Sequence, residues 1–221
     1  IDRLGRSTDA SIYRLIPQAI ARPRGLDEVG ALLALARRRR RHVTFRAAGT
    51  SLSGQSVTDG LLVEITPFWR AARVVDDGQR IWTQPGVIGG HLNRLLAPHR
   101  TRIGPDPASI DAATIGGILI NNSSGMCCGV AQNSYHTLDS LGVLLADGTW
   151  VDSSWEDADE QLRRYVRLVV VVAVAGGENG LAVVLMMADR YEEALVRKIA
   201  ELIHVPHRDF IQAKHRVEAA Q

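Results

Sequence analysis

Between residues 47 and 56 the chain reads AAGTSLSGQS. Gly49, Gly54 and Ser56 fall where a nucleoside-triphosphate loop needs them, in the pattern Gly, four residues, Gly, Lys, then Ser or Thr. The lysine is missing, and Gln55 stands in its place. That lysine is the point charge on the terminal phosphates of a triphosphate. Its loss, with no evident carboxylate for magnesium, speaks against a triphosphatase. The remaining chemistry is intact. Small residues let the backbone approach a ligand closely, and successive N–H groups form a concave anion site. The hydroxyls of Thr50, Ser51, Ser53 and Ser56 add donors. Such a loop can hold a diphosphate that is a permanent linkage within a cofactor. An ordinary polar turn has the same composition, and the loop alone leaves both readings open.

A second stretch of small residues, IGPDPASIDAATIGGILINNSSG over residues 103–125, offers another surface that a ligand can approach closely. Two such segments suit a long ligand lying between two units. Other constellations carry less. His204 and His207 flank Pro206, which breaks a helical face, and no cysteine or acidic cluster supports a metal there. Cys127 and Cys128 are adjacent, which strains a disulfide and lacks the CxxC spacing of zinc or iron–sulfur sites. They read as a pair of small buried thiols in a reducing compartment. The GTSLSG stretch does not have the spacing of a serine-hydrolase elbow, and no catalytic dyad stands out.

The elements that must position these loops are legible on either side. LDEVGALLALARRRRR, residues 26–41, places Leu26, Val29, Leu32, Leu33 and Ala36 on one helical face. Asp27 and Glu28 occupy its first turn and the arginines its last, as the helix dipole prefers. The arginine run reads as a solvated helix end. HVTFRA (42–47) and LLVEIT (61–66) read as strands on either side of the first loop, giving a small α/β unit. Further on come a short strand in RIWTQPGV, a helix over 87–99, and a hairpin in SLGVLLADGTWVDS (140–153) turning at Asp147-Gly148. LVVVVAVA, residues 168–175, reads as a buried strand, too short to span a bilayer as a helix. The 221 residues are 46% hydrophobic, enough for a real core. With 26 basic and 24 acidic residues the net charge is +2, which argues against a dedicated nucleic-acid binder. The N-terminal residues show no signal-peptide pattern.

Taken in order, the motifs resemble the FAD-binding domain of the vanillyl-alcohol-oxidase type of flavoproteins. RAAGTSLSGQS matches that family's pyrophosphate loop. PDPAS, ATIGG and NNSSG match the stretch along the flavin, and LLADG the hairpin after it. GGENGLAVV (176–184) is similar to the family's late Gly-Ser-Glu-Gly-Thr-Leu-Gly segment, departing at Gly177, Asn179, Gly180 and Ala182. NNSSGMCCGVAQNSYHTL looks closest to the large D-lactate dehydrogenase-like members, which carry FAD and a downstream iron–sulfur region. The resemblance spans roughly residues 10–190.

The resemblance implies an α+β, two-subdomain PCMH-type FAD-binding fold: a small α/β subdomain (1–73), a second subdomain with a mixed or antiparallel sheet and helices (74–190), and the start of a truncated C-terminal region (191–221). It implies noncovalent FAD, although some relatives attach it through a histidine and His136 lies near the flavin segment. Ala47, Ala48, Gly49, Thr50, Ser51, Gln55 and Ser56 would hold the pyrophosphate. Gly104, Pro105 and Asp106 would lie near the flavin, Thr114, Gly117, Asn121, Ser124 and Gly125 would continue that wall, and Val183 would touch the cofactor from the last strand. The implied activity is oxidation of a D-2-hydroxy acid, D-lactate first, by hydride transfer from C2 to flavin N5. Glycolate and 2-hydroxyglutarate are the runners-up, and a cofactor-binding module inactive on its own is the reading from another class. The catalytic residues would lie in a cap domain, and any iron–sulfur cluster in regions beyond this chain. The expected partners are a small 2-hydroxy acid and an electron acceptor of open identity, with no nucleic acid and no membrane span. The expected location is the cytoplasm, free or in peripheral contact with the inner face of the membrane.

Overall fold

The computed structural model describes residues 1–153 and, beyond them, the strands Val171–Ala175 and Leu185–Met186. The first unit is a parallel three-stranded sheet. β1 (Ala19–Ala21) and β2 (Val43–Arg46) flank β3 (Leu61–Glu64), with Ala19 opposite Leu61 and Val43 opposite Leu61 on the other side. A short helix, α1 (Asp2–Gly5), precedes them. α2 (Leu26–Arg39) connects β1 to β2 and buries Val29, Leu33 and Ala36, one position per turn of one face.

The sequence pattern carries α2 to residue 41, but it stops at Arg39 because Arg40 turns left-handed, with φ of 49°. The Arg41 N–H then reaches back to the Ala36 carbonyl at 2.9 Å, a Schellman-type closure of the last turn. The β2–β3 connection is less usual. Parallel neighbours need a crossover of a dozen or more residues, which is most often a helix. Here residues 47–60 make that crossover without a regular element, so the glycine loop is held at both ends by the same sheet.

The second unit is antiparallel. β4 (Ala72–Val75) pairs with β5 (Arg80–Thr83), and β6 (Leu141–Leu144) with β7 (Trp150–Asp152). The order is β4-β5-β8-β6-β7, with β8 (Val171–Ala175) in the middle and β9 (Leu185–Met186) paired to β8. The apolar run at 168–175 thus supplies a strand, as its composition implies. The β6–β7 turn is one residue longer than a tight Asp-Gly turn. The Leu145 N–H donates to the Thr149 carbonyl at 2.8 Å, leaving Ala146, Asp147 and Gly148 as the turn, with Gly148 at φ of 94°.

Among the described residues three helices complete this unit: α3 (Gly89–Leu96), α4 (Ile115–Ile120) and α5 (Ser134–Thr137). The helix read over 87–99 is α3 followed by a 3₁₀ turn at Ala97–His99. Pro98 lacks the N–H that would continue the α ladder. α4 was not legible, because its IGGILI run is under two turns long, carries two adjacent glycines and lies within a stretch of small residues that suggested loop.

The two units share a core. Val29, Leu33, Ile65 and Trp69 pack with Leu144, and Phe45, Ala47 and Trp150 close around them. Trp69 is 1% exposed, and its indole N–H donates to the Pro23 carbonyl at 2.8 Å. Ala47, the first residue of the glycine loop, is therefore anchored in the cluster that joins the sheets.

Candidate functional site

The first loop leaves β2 at Arg46. Gly49 and Gly54 take φ of 75° and 76°, the left-handed region that favours glycine. An N-terminal strap holds the outside of the turn. The Ala10 N–H donates to the Gly49 carbonyl at 3.1 Å, and the Tyr13 ring fills the space where a Gly54 side chain would go. Within the loop, the N–H groups of Ser53 and Gln55 donate to Ser51 Oγ at 3.3 and 3.2 Å, and the Ser51 hydroxyl donates to Gln55 Oε1. The N–H groups of Ala47 to Leu52, by contrast, donate to no acceptor among the described residues. Six successive donors without an acceptor, in a turn with two left-handed glycines, are the raw material that a backbone anion site requires.

The hydroxyls depart from that expectation. Ser56 is buried, and its Oγ donates to Asp9 Oδ2 at 2.9 Å, not outward. Burial pushes the Asp9 carboxyl up. The hydrogen bonds it accepts from the Ser11 side chain and backbone and from Ser56 outweigh that and hold it below the ordinary carboxylate range.

The second segment is pinned by its backbone. The N–H groups of Gly89 and Gly90, at the start of α3, donate to the carbonyls of Ala113 (3.0 Å) and Ile110 (2.8 Å), and the Asp106 N–H donates to the Ser124 carbonyl at 2.8 Å. Gly125 has φ of 74°, and a side chain there would run into the Asp106 carbonyl. Pro105 is buried, and Gly104 backs onto Gln132 and Thr137. The Ser124 hydroxyl turns into its own loop, donating to the Asn122 carbonyl at 2.8 Å. Asn121 closes α4, its N–H donating to the Gly117 carbonyl at 3.2 Å.

The two segments meet at Gly117. A Cβ placed there would lie 3.8 Å from the Ala47 Cβ and 3.9 Å from Thr114 Oγ1. Thr114 is 2% exposed, yet its hydroxyl has no hydrogen-bond partner among the described residues. The Gly117 N–H likewise donates to no acceptor among them. A buried hydroxyl without a partner is costly, and a ligand group at this junction would relieve it. The donor run of 47–52, the glycine gap and the orphaned hydroxyl together fit an extended ligand with a diphosphate at one end. A cavity of about 920 Å³ opens elsewhere, beside β5 and α4. Gly104 and Pro105 line it, but no residue of the first loop does, so the site is assigned from the converging loops and not from that hollow.

Cys128 is buried as read from the sequence, but Cys127 is exposed. His136 is exposed and bonded to Asn133 Oδ1 through Nδ1 at 2.8 Å. Val183, the GGENGLAVV stretch and His204/His207 lie outside the described residues. Two structural neighbours of the loop were missed in the sequence. One is the strap of residues 9–13, which has no local signature. The other is Arg46, whose position one residue before the loop was a signal left unused.

A parallel sheet whose glycine loop meets a second, antiparallel unit beside a partnerless hydroxyl is the layout that the sequence motifs imply for a cofactor-binding domain of two units. Residues 17–154 match the family model described as FAD binding domain, and the chain belongs to that family. Its cofactor is FAD, and its fold is the α+β FAD-binding fold of the PCMH-type oxidases. The glycolate oxidase subunit GlcD of Escherichia coli (strain K12) is 34% identical over 140 residues, 62% of this chain and 28% of that protein. A D-2-hydroxyglutarate dehydrogenase from the same strain is 32% identical over 149 residues, 65% of this chain and 15% of that protein. The chain thus spans from about 15% to 28% of the length of these relatives. Among solved structures, 6-hydroxy-D-nicotine oxidase from Arthrobacter nicotinovorans superposes with a TM-score of 0.62 at 17% identity, covering 84% of this chain and 40% of that one. An alkyldihydroxyacetonephosphate synthase superposes with 0.56 at 21% identity, covering 66% and 30%. Residues 151–215 match a second family model, tellurite resistance protein TerB, and Val183 falls within that match. No helix among the described residues is long and apolar enough to cross a membrane.

Proposed function

We propose that this chain is the FAD-holding part of a flavin-dependent dehydrogenase of D-2-hydroxy acids. The observation that carries the reading is the junction at Gly117, where the donor loop of one unit meets the orphaned Thr114 hydroxyl of the other. When bound, FAD supplies a hydride acceptor at N5 for the substrate's C2. The chain's own contribution is position. The N–H groups of Ala47 to Leu52 take the diphosphate, and Thr114 and Gly117 offer a hydroxyl and an N–H where the cofactor crosses between units. The segment from Gly104 to Gly125 forms the wall along the flavin. Orienting a hydroxy acid needs a cation for its carboxylate and a base for its hydroxyl proton, both near the ring. We assign neither to residues 1–153 and place both in a substrate-binding region of the whole protein.

D-lactate, glycolate and D-2-hydroxyglutarate share the carboxylate and the adjacent carbinol. The motif NNSSGMCCGV favours D-lactate, and the similarity to a glycolate oxidase subunit and to D-2-hydroxyglutarate dehydrogenase favours the other two. The test has two parts. Denaturing the purified flavin-loaded protein should release FAD, and release of FMN alone, or no uptake of flavin, overturns the reading. Anaerobic addition of each acid to the whole protein should bleach the flavin absorbance with one of the three. Bleaching with none of them leaves the cofactor reading standing and removes the substrate class.

A further inference from the structure

Arg46 is buried, only 8% exposed, and sits at the end of β2 immediately before the glycine loop. Its register partner on β3 is Glu64, itself buried, and the natural expectation is an ion pair. Glu64 is already taken. Its Oε1 accepts from Arg6 Nε and its Oε2 from Arg22 Nε at 2.7 Å, while Arg22 also pairs with Asp2 at 2.8 Å. Arg46 forms no salt bridge among the described residues, and the one hydrogen bond of its side chain there is from Nη1 to the Ser56 carbonyl at 3.2 Å. The other end of the fork lies directly beneath the loop, where a side chain at Gly49 would run into Nη2. Burial first, and the nearby Arg6 charge second, pull this guanidinium below its usual value, partly offset by Glu64 and Asp9. A buried cation with one neutral partner and four spare donors is costly unless an anion completes it.

We infer that Arg46 supplies, from beneath the loop, the positive charge that Gln55 does not, and that the diphosphate of FAD is its counter-anion. This rests on FAD being the cofactor. Arg46 is a positioning residue in this role. It braces the turn through the Ser56 carbonyl and Gly49, and biases the cradle toward a doubly charged linkage. A flavin without a diphosphate should gain much less from it.

The test compares wild type, Arg46→Gln and Arg46→Lys, each stripped of flavin, by fluorescence titration with FAD and with riboflavin at several salt concentrations. Melting of the flavin-free proteins and protection by inorganic pyrophosphate are measured alongside. Arg46→Gln should weaken FAD at least tenfold and flatten its salt dependence, leave riboflavin binding little changed, and abolish protection by pyrophosphate. Its flavin-free melting temperature should hold or rise, since an uncompensated buried cation is gone. Arg46→Lys should recover most of the FAD affinity. Unchanged FAD affinity in Arg46→Gln overturns the inference. So does a parallel loss of FAD and riboflavin binding with a lowered melting temperature, the mark of a merely structural residue. A wild type that takes up no FAD overturns the cofactor reading and the inference with it.

Discussion

The two glycine-rich walls use the same residue types for different ends. The first, residues 47–56, is a crossover between parallel strands, and its inner N–H groups are left unspent while a buried cation sits beneath it. The second, residues 104–125, spends much of its backbone on its own shape, on α3 and on the Asp106–Ser124 tie, and keeps a hydroxyl and one N–H at the junction. On the proposed function, one wall would hold the cofactor by donors and charge, the other by close fit. A side chain at Gly49 would meet only the end of another side chain, while one at Gly125 would meet backbone, so equal substitutions should have unequal consequences.

The sharpest break in that comparison pairs Gly125→Val with Gly49→Val. Both positions have positive φ, so each substitution adds backbone strain. At Gly125 the new side chain meets the Asp106 carbonyl, which is backbone and cannot swing away. Roughly 3 kcal/mol of stability should be lost, from strain and overlap together, and flavin binding with it. At Gly49 the obstacle is the end of the Arg46 side chain, which can be displaced. The stability loss there should be about 1–2 kcal/mol, while FAD affinity falls at least about a hundredfold, or some 2.7 kcal/mol. Denaturant melts and FAD titrations on both variants decide it. Equal stability losses, or a Gly49→Val protein that binds FAD like wild type, would collapse the distinction.

The junction gives a smaller effect of opposite sign on stability and binding. Thr114→Val keeps the shape of the side chain and removes the partnerless hydroxyl. The flavin-free protein should become more stable by about 1 kcal/mol, because a buried polar group without a partner is gone. FAD should bind about tenfold more weakly, equivalent to roughly 1.4 kcal/mol. A Thr114→Val protein that loses stability without losing affinity would mean that the hydroxyl serves the fold.

What the sequence made legible follows the range of each interaction. α2 was readable because Val29, Leu33 and Ala36 recur at helical spacing with charges sorted toward the two ends. The hairpin and both glycine segments were readable because turn chemistry is local. β1 was not, since three residues paired only to β3 carry no periodicity. α4 was hidden by the same small residues that marked the site. The state of Arg46 depends on Glu64 being claimed by Arg6 and Arg22, 58 and 42 residues away from it along the chain. The strap depends on Asp9 reaching Ser56 across 47 residues. Spacing rules see neighbours in sequence, and these partners are neighbours only in space.

That strap gives the smallest and most specific effect, and it concerns only the donor wall. Asp9 ties the N-terminal segment to Ser56, with its carboxyl held below the ordinary range of about 3.9. A carboxyl whose folded pKa is depressed contributes stability that is fully present above its unfolded value and is lost as pH falls through the folded one. FAD binding to the wild type should therefore stay level from pH 8 down to about pH 5 and weaken only below about pH 4, as the tie is protonated. Ser56→Ala removes one of the hydrogen bonds that lower the Asp9 value. At neutral pH that variant should bind FAD only about two- to fivefold more weakly, since its hydroxyl faces Asp9 and one such bond is worth about 0.5–1 kcal/mol. Its acid-release midpoint should move upward, toward the ordinary carboxylate value. Flavin fluorescence followed through an acid titration of both proteins reads both quantities at once. A tenfold loss at neutral pH with no change of midpoint would place the Ser56 hydroxyl on the diphosphate after all. A midpoint displaced upward at nearly unchanged affinity would confine Ser56 to the strap and leave the diphosphate to the backbone of 47–52 and the arginine beneath it.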